Sequence, residues 1–138
     1  MKKTGHDIED EVYNLLLGSS LELAVTGKVY KNGYRPRDSY LEDIVVTFTQ
    51  STAAQVQDGI VTVNIYVPDI DPYADSTWVE DGARTAALER AALTWLDGID
   101  PSGTDLLLEA YQPPFTMEDA ASRQHFVTLR IRFRYLDN

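Results

Sequence analysis

Residues 69–80 read DIDPYADSTWVE, and four of their carboxylates stand at metal-binding intervals. Asp69, Asp71, Asp75 and Glu80 take positions 1, 3, 7 and 12 of a twelve-residue calcium loop, the last being where a bidentate glutamate closes the cage. The rest of the pattern departs from it. Tyr73 sits where the fifth position needs an oxygen ligand, Ala74 replaces the glycine of the sharp turn, Pro72 stiffens the chain, and a strand precedes the loop. An acidic loop that caps the following helix through Asp75, Ser76 or Asp81 is the expectation, with no metal and no cofactor assigned. His6 and His125 are the only imidazoles, and neither has the neighbouring serine or the second histidine that nucleophilic or metal-assisted catalysis requires. Gly27, Gly33, Gly59 and Gly82 are scattered and build no phosphate loop. Cysteine is absent, which removes thiolate chemistry and disulfides together. A non-enzymatic protein is expected; the enzymatic alternative is a small acidic metal-dependent hydrolase using Asp69, Asp71 and Glu80.

A second constellation lies near the C-terminus. Arg130, Arg132 and Arg134 alternate with Leu129, Ile131, Phe133 and Tyr135. In a strand this places three guanidinium groups on one face at intervals of about 6.6 Å. Two readings stand open. The ladder stays within one copy, either solvated or paired with acids of a neighbouring strand, since Asp105 and Glu109 share a face and fall opposite Arg134 and Arg130 in one register. Alternatively, the arginines cross a subunit boundary to carboxylates of a second copy.

The elements that must position these groups follow from periodicity. Thr4 stands three residues before Asp7, and Ile8, Val12, Leu15 and Leu16 follow at helical spacing up to Gly18, so a short amphipathic helix is predicted. KVYKNGYRPRDSYLED carries a short strand-like piece and the turn signals Asn32-Gly33 and Arg35-Pro36, which makes an ordered but irregular arm. IVVTFTQ (44–50) and GIVTVNIYVP (59–68) predict two antiparallel strands joined by the polar stretch STAAQVQD. In the second, Val61, Val63, Ile65 and Val67 face one way and Thr62, Asn64 and Tyr66 the other. Water, a substrate or another copy of the chain could meet that mixed face. Leu88, Ala91, Ala92, Trp95 and Leu96 mark a second helix, and 104–112 with 123–136 make a further strand pair around Pro113-Pro114. The order predicts an α+β domain spanning 1–138, a mostly antiparallel β-sheet with two helices packed on one face.

Composition narrows the partners. With 12 basic against 22 acidic side chains the formal charge is -10, which opposes tight nucleic-acid binding and adhesion to an anionic membrane. No apolar run approaches the roughly 20 residues that span a bilayer, and the first residues turn acidic where a signal peptide would become apolar. A soluble protein outside that export route is expected.

Length, element order and the stretch GKVYKNGYRPRDSYLEDIVV followed by QDGIVTVNIYVPD resemble the small tail-terminator and tail-completion (neck) proteins of long-tailed bacteriophages and prophages. The resemblance implies a structural subunit of the head–tail junction, assembled as a hexameric ring with tail-tube and neck proteins as partners. It places the protein in the virion, and in the host cytoplasm during assembly. It also implies an acidic lumen that lets DNA pass without holding it. The family has no catalytic motif to carry over. The candidate subunit interface takes Tyr34, Arg35 and Arg37 from the arm and Thr62, Asn64 and Tyr66 from the mixed strand face, as the resemblance implies, and joins to them Arg130, Arg132 and Arg134 from the ladder. A monomeric acidic adaptor that binds a basic protein partner is the third reading.

Overall fold

Thr4 starts the first helix as the spacing predicts. Its Oγ1 accepts from Asp7 N at 3.1 Å while Asp7 Oδ2 accepts from Thr4 N at 2.8 Å, a reciprocal cap that satisfies two otherwise orphaned amides. These bonds hold the Asp7 carboxyl below the usual range. Helix α1 (Gly5–Leu16) buries Ile8, Val12 and Leu16 completely, and Gly18 follows its end with φ 72°, a conformation that glycine adopts without a Cβ penalty. A five-residue helix, α2 (Ser20–Ala24), comes next, capped by Ser19 Oγ and buried through Leu21. Periodicity did not predict α2, because one turn and a half carries no measurable period.

Described here is a computed structural model covering residues 2–52 and 54–136. Its strands are β1 (Val29–Lys31), β2 (Ile44–Ser51), β3 (Val56–Pro68), β4 (Leu107–Ala110), β5 (Phe115–Asp119) and β6 (Gln124–Leu136), with α3 (Gly82–Asp97) between β3 and β4. They form one six-stranded sheet in the order β1-β2-β3-β6-β4, and β5 pairs with the other end of β6. Only β1 against β2 is parallel among these pairings. The fold is α+β, as expected, with corrections of detail. Among the described residues there are three α-helices instead of two, β3 starts at Val56 inside the stretch expected to be loop, and β5 occupies what was expected to be the Pro113-Pro114 connection.

Alternation explains where the core sits. Val61, Val63 and Ile65 of β3 and Val127, Leu129, Ile131 and Phe133 of β6 are fully buried, and they form one cluster with Ile8, Val12, Leu21, Leu88, Ala92 and Trp95 from the three helices. Burying each large aliphatic side chain contributes about 1.5 to 3 kcal/mol, so this single layer dominates stability. Where β2 bulges between Phe48 and Gln50, Gly59 makes the close approach possible: a Cβ there would lie 2.0 Å from Gln50 O and 2.7 Å from the Phe133 ring. All three helices lie on this face. Among the described residues no helix covers the other face, and none is long and apolar enough to cross a membrane.

Candidate interaction surface

The uncovered face is built by the alternate residues of the same strands. Register puts Thr62 opposite Thr47 and Arg130, Asn64 opposite Val45 and Thr128, and Tyr66 opposite Phe126. Phe115 and Met117 of β5 continue the face opposite Thr128 and Phe126, and Leu107 and Glu109 of β4 opposite Arg134 and Arg132. The candidate residues Thr62, Asn64, Tyr66, Arg130, Arg132 and Arg134 therefore share one surface. Thr62 Oγ1 is 2.8 Å from Thr49 Oγ1, and the Asn64 Oδ1 atom is buried without a hydrogen-bond partner.

Tyr66 is covered from within the chain. The Arg35 guanidinium lies 4.0 Å from its ring centroid, the Phe126 ring packs at 5.5 Å, and burial pushes the Tyr66 phenol above its ordinary pKa. Arg35 was expected to serve an interface, and the structure instead spends it on the arm. Its Nε donates to Asp43 Oδ2 at 2.9 Å and its Nη2 to Gln124 Oε1 at 2.8 Å and to the carbonyls of Ser39 and Leu41. Asp43, fully buried, also accepts from Ser39 Oγ at 2.5 Å and Lys28 N at 3.1 Å. A Cβ at Gly27 would lie 2.0 Å from Asp43 Oδ1, so glycine makes room for the carboxylate. Beside this knot Glu42 takes both Nε (2.6 Å) and Nη2 (2.7 Å) of Arg84, which also donates to Ala24 O. That fork fixes the arm to the start of α3 and holds the guanidinium more firmly charged. Tyr34 and Arg37 remain on the outside of the arm, Tyr34 at 76% exposure.

The ladder divides by partner. Arg132 donates to Asp58 through Nε at 3.1 Å and Nη2 at 2.7 Å, with Glu109 at 3.6 Å; Arg134 approaches Asp58 at 3.8 Å. Hydrogen bonding from Arg132 holds the Asp58 carboxyl below its usual range. Intramolecular pairing thus applies to two of the three, through Asp58, an acid in the polar stretch STAAQVQD that predicts loop. Its position four residues before Thr62 was the available signal. The register that set Asp105 and Glu109 against Arg134 and Arg130 is not the one formed: Glu109 faces Arg132, and Asp105 lies 3.6 Å from Lys3. Arg130 is exposed, its guanidinium 5.9 Å from the Phe115 ring centroid.

The acidic loop uses its carboxylates to cap its own backbone while most of it stays exposed. Asp71 accepts from Asp75 N (3.1 Å) and Ser76 N (2.9 Å), and Asp75 accepts from Thr77 N (3.0 Å), bonds that lower the Asp75 pKa. Ala74 and Ser76 adopt φ of 53° and 66° within this turn. Glu80 accepts from Thr85 Oγ1 at 2.6 Å and Asp81 caps α3. His125 Nδ1 lies 2.6 Å from Asp69 Oδ1, and its Nε2 is 3.8 Å from Glu80, so the imidazole ties the loop to the start of β6. Among the described residues no three side chains of metal-ligand type converge. A cleft of about 430 Å³ beside α1 contains Glu11 and Asp105, and both carboxylates lie against Lys3. No protein-family description and no curated protein sequence matches the chain.

Proposed function

We propose that the protein is a non-enzymatic structural subunit of a phage or prophage head–tail junction, self-assembling into a ring that ends or completes the tail tube. The observation that supports this reading most is the helix-free sheet face. Phe115, Met117, Arg130 and Arg134 lie on it among threonines, and no lysine occurs among its strand residues. Aromatic, methionine and arginine side chains are enriched at protein–protein interfaces and lysine is depleted there, which supports this reading. The resemblance in length, element order and arm supplies the phage setting. A charge of -10 suits a conduit that DNA traverses without adhering. The catalytic alternative gains nothing from the loop, whose carboxylates are engaged by backbone amides and His125.

Native mass spectrometry across a concentration series, with electron microscopy of the largest species, tests the proposal. Closed rings are expected, free or on isolated tail tubes, and genes for portal, head and tail proteins are expected beside its own. A protein that stays monomeric throughout and binds no tail tube would overturn it in favour of the adaptor.

A further inference from the structure

We propose that the acidic loop 69–81 of one copy seats on the arginine-bearing half of the sheet face of a second copy, with Tyr73 as the central contact. This rests on the ring-subunit reading and adds which two surfaces meet. Charge complementarity selects the pair. The loop carries Asp69, Asp71, Asp75, Glu80 and Asp81, and no lysine or arginine occurs anywhere from Ser39 to Ala83. Around Arg132 the sheet face presents three guanidinium groups against the carboxylates of Asp58 and Glu109. In a chain of charge -10 this patch, with three guanidinium groups to two carboxylates, is locally basic, so it attracts an acidic loop.

The two surfaces do not meet within one copy. The loop leaves β3 at Pro68, which pairs with Gln124, whereas Arg130 and Arg134 pair with Thr62 and Asp58. At about 3.3 Å per residue the ladder therefore lies about 20 to 33 Å along the sheet from the root of its own loop. The loop also arrives with its shape set. Its amides are bound by Asp71 and Asp75, Ile70 pairs with Val79 across its base, and Arg123 lies 5.2 Å from the Trp78 ring. Little conformational freedom is lost on docking. Tyr73 projects from it at 84% exposure, and the receiving face offers Tyr111 and Leu107 at 56% and 66%. A tyrosine set among desolvated charge is a common interface anchor. Arg130, which has no carboxylate of the described residues in hydrogen-bonding range, is left for the incoming acids.

The absence of native cysteine makes cross-linking a clean test. Pro72→Cys protein mixed with Leu107→Cys protein, both of which keep Tyr73 and Arg130, is expected under mild oxidation to give a covalent heterodimer, while each alone gives none. The double variant is expected to give a ladder of covalent multimers. Tyr73→Ser and Arg130→Gln are each expected to weaken self-association about tenfold at unchanged melting temperature, and added salt to weaken the parent protein similarly. Oligomers seen by native mass spectrometry without the mixed cross-link would overturn the contact and leave the ring reading intact. Disulfide dimers of the Leu107→Cys protein alone would show that the face pairs with itself, which also overturns it. A double variant whose cross-linked products stop at dimers keeps the contact and removes the ring.

Discussion

Two arginine–carboxylate pairs on the same sheet face do opposite things. Arg35 and Asp43 are withdrawn from water, with side-chain exposures of 14% and 1%, and share their hydrogen bonds with Ser39, Lys28 and Gln124. Arg132 and Asp58 stand at 36% and 31% and share theirs with little else. Removing one partner of a buried pair strands a charge in a low-dielectric pocket, whereas an exposed pair falls back on water. The first pair holds the arm in place, and the second leaves its strand face available to something outside the chain.

Asp43→Ala should therefore cause the largest loss. It leaves the Arg35 guanidinium, the Ser39 hydroxyl and the Lys28 amide without their acceptor, and a cost of about 3 to 5 kcal/mol is expected in urea denaturation. A loss below about 1 kcal/mol would place this pair in the same class as the exposed one and end the contrast. Gly27→Ala attacks the same knot from the backbone, since its Cβ must displace Asp43 Oδ1 or the chain at Glu42. About 3 kcal/mol is expected, with proteolysis beginning in the arm.

The contrast also explains what the sequence revealed and what it hid. Val61 to Val67 and Leu129 to Phe133 announce their strands because alternation is a local property, and the cap at Thr4 with Asp7 is local as well. The division of labour among the arginines is not. Arg35 looked like an exposed arm residue because its partners Asp43 and Gln124 lie 8 and 89 positions away. Asp58 looked like a loop acid because Gly59 and the polar residues before it masked three further residues of strand. β5 was hidden by Pro113 and Pro114, which end one strand and leave no sign that another begins at Phe115. The residues named for the sheet face from alternation do share it. The arm residues, named on resemblance, divide into Arg35, which is buried in its own knot, and Tyr34 and Arg37, which are not.

The loop sharpens the comparison at an intermediate scale. Asp71 accepts two backbone amides on an exposed turn, so Asp71→Ala should cost about 1 kcal/mol. The loss should be equal in calcium and in chelator, as thermal melts in the two buffers will show. A loss confined to calcium buffer would mean that the carboxylates bind metal.

The smallest effect is expected at Asp58, and its pH dependence separates it from the buried pair. Arg132 holds the folded-state pKa of Asp58 below its ordinary value, so the folded protein resists protonating this group more than the unfolded chain does. Its stabilisation is then complete above the ordinary carboxylate pKa of about 4 and disappears as pH falls through the depressed folded value. Because water screens the pair, Asp58→Asn should lower the melting temperature at neutral pH by no more than a few degrees. The difference from the parent protein should close once the pH has fallen below that depressed folded value, where both carry a neutral side chain at this position. Salt should narrow it too, since exposed charges are screened. If the difference instead persists at low pH and high salt, Asp58 acts through packing and not through its charge. The ladder would then be part of the fixed framework of the subunit, and the sheet face would lose its claim to be the surface that a partner meets.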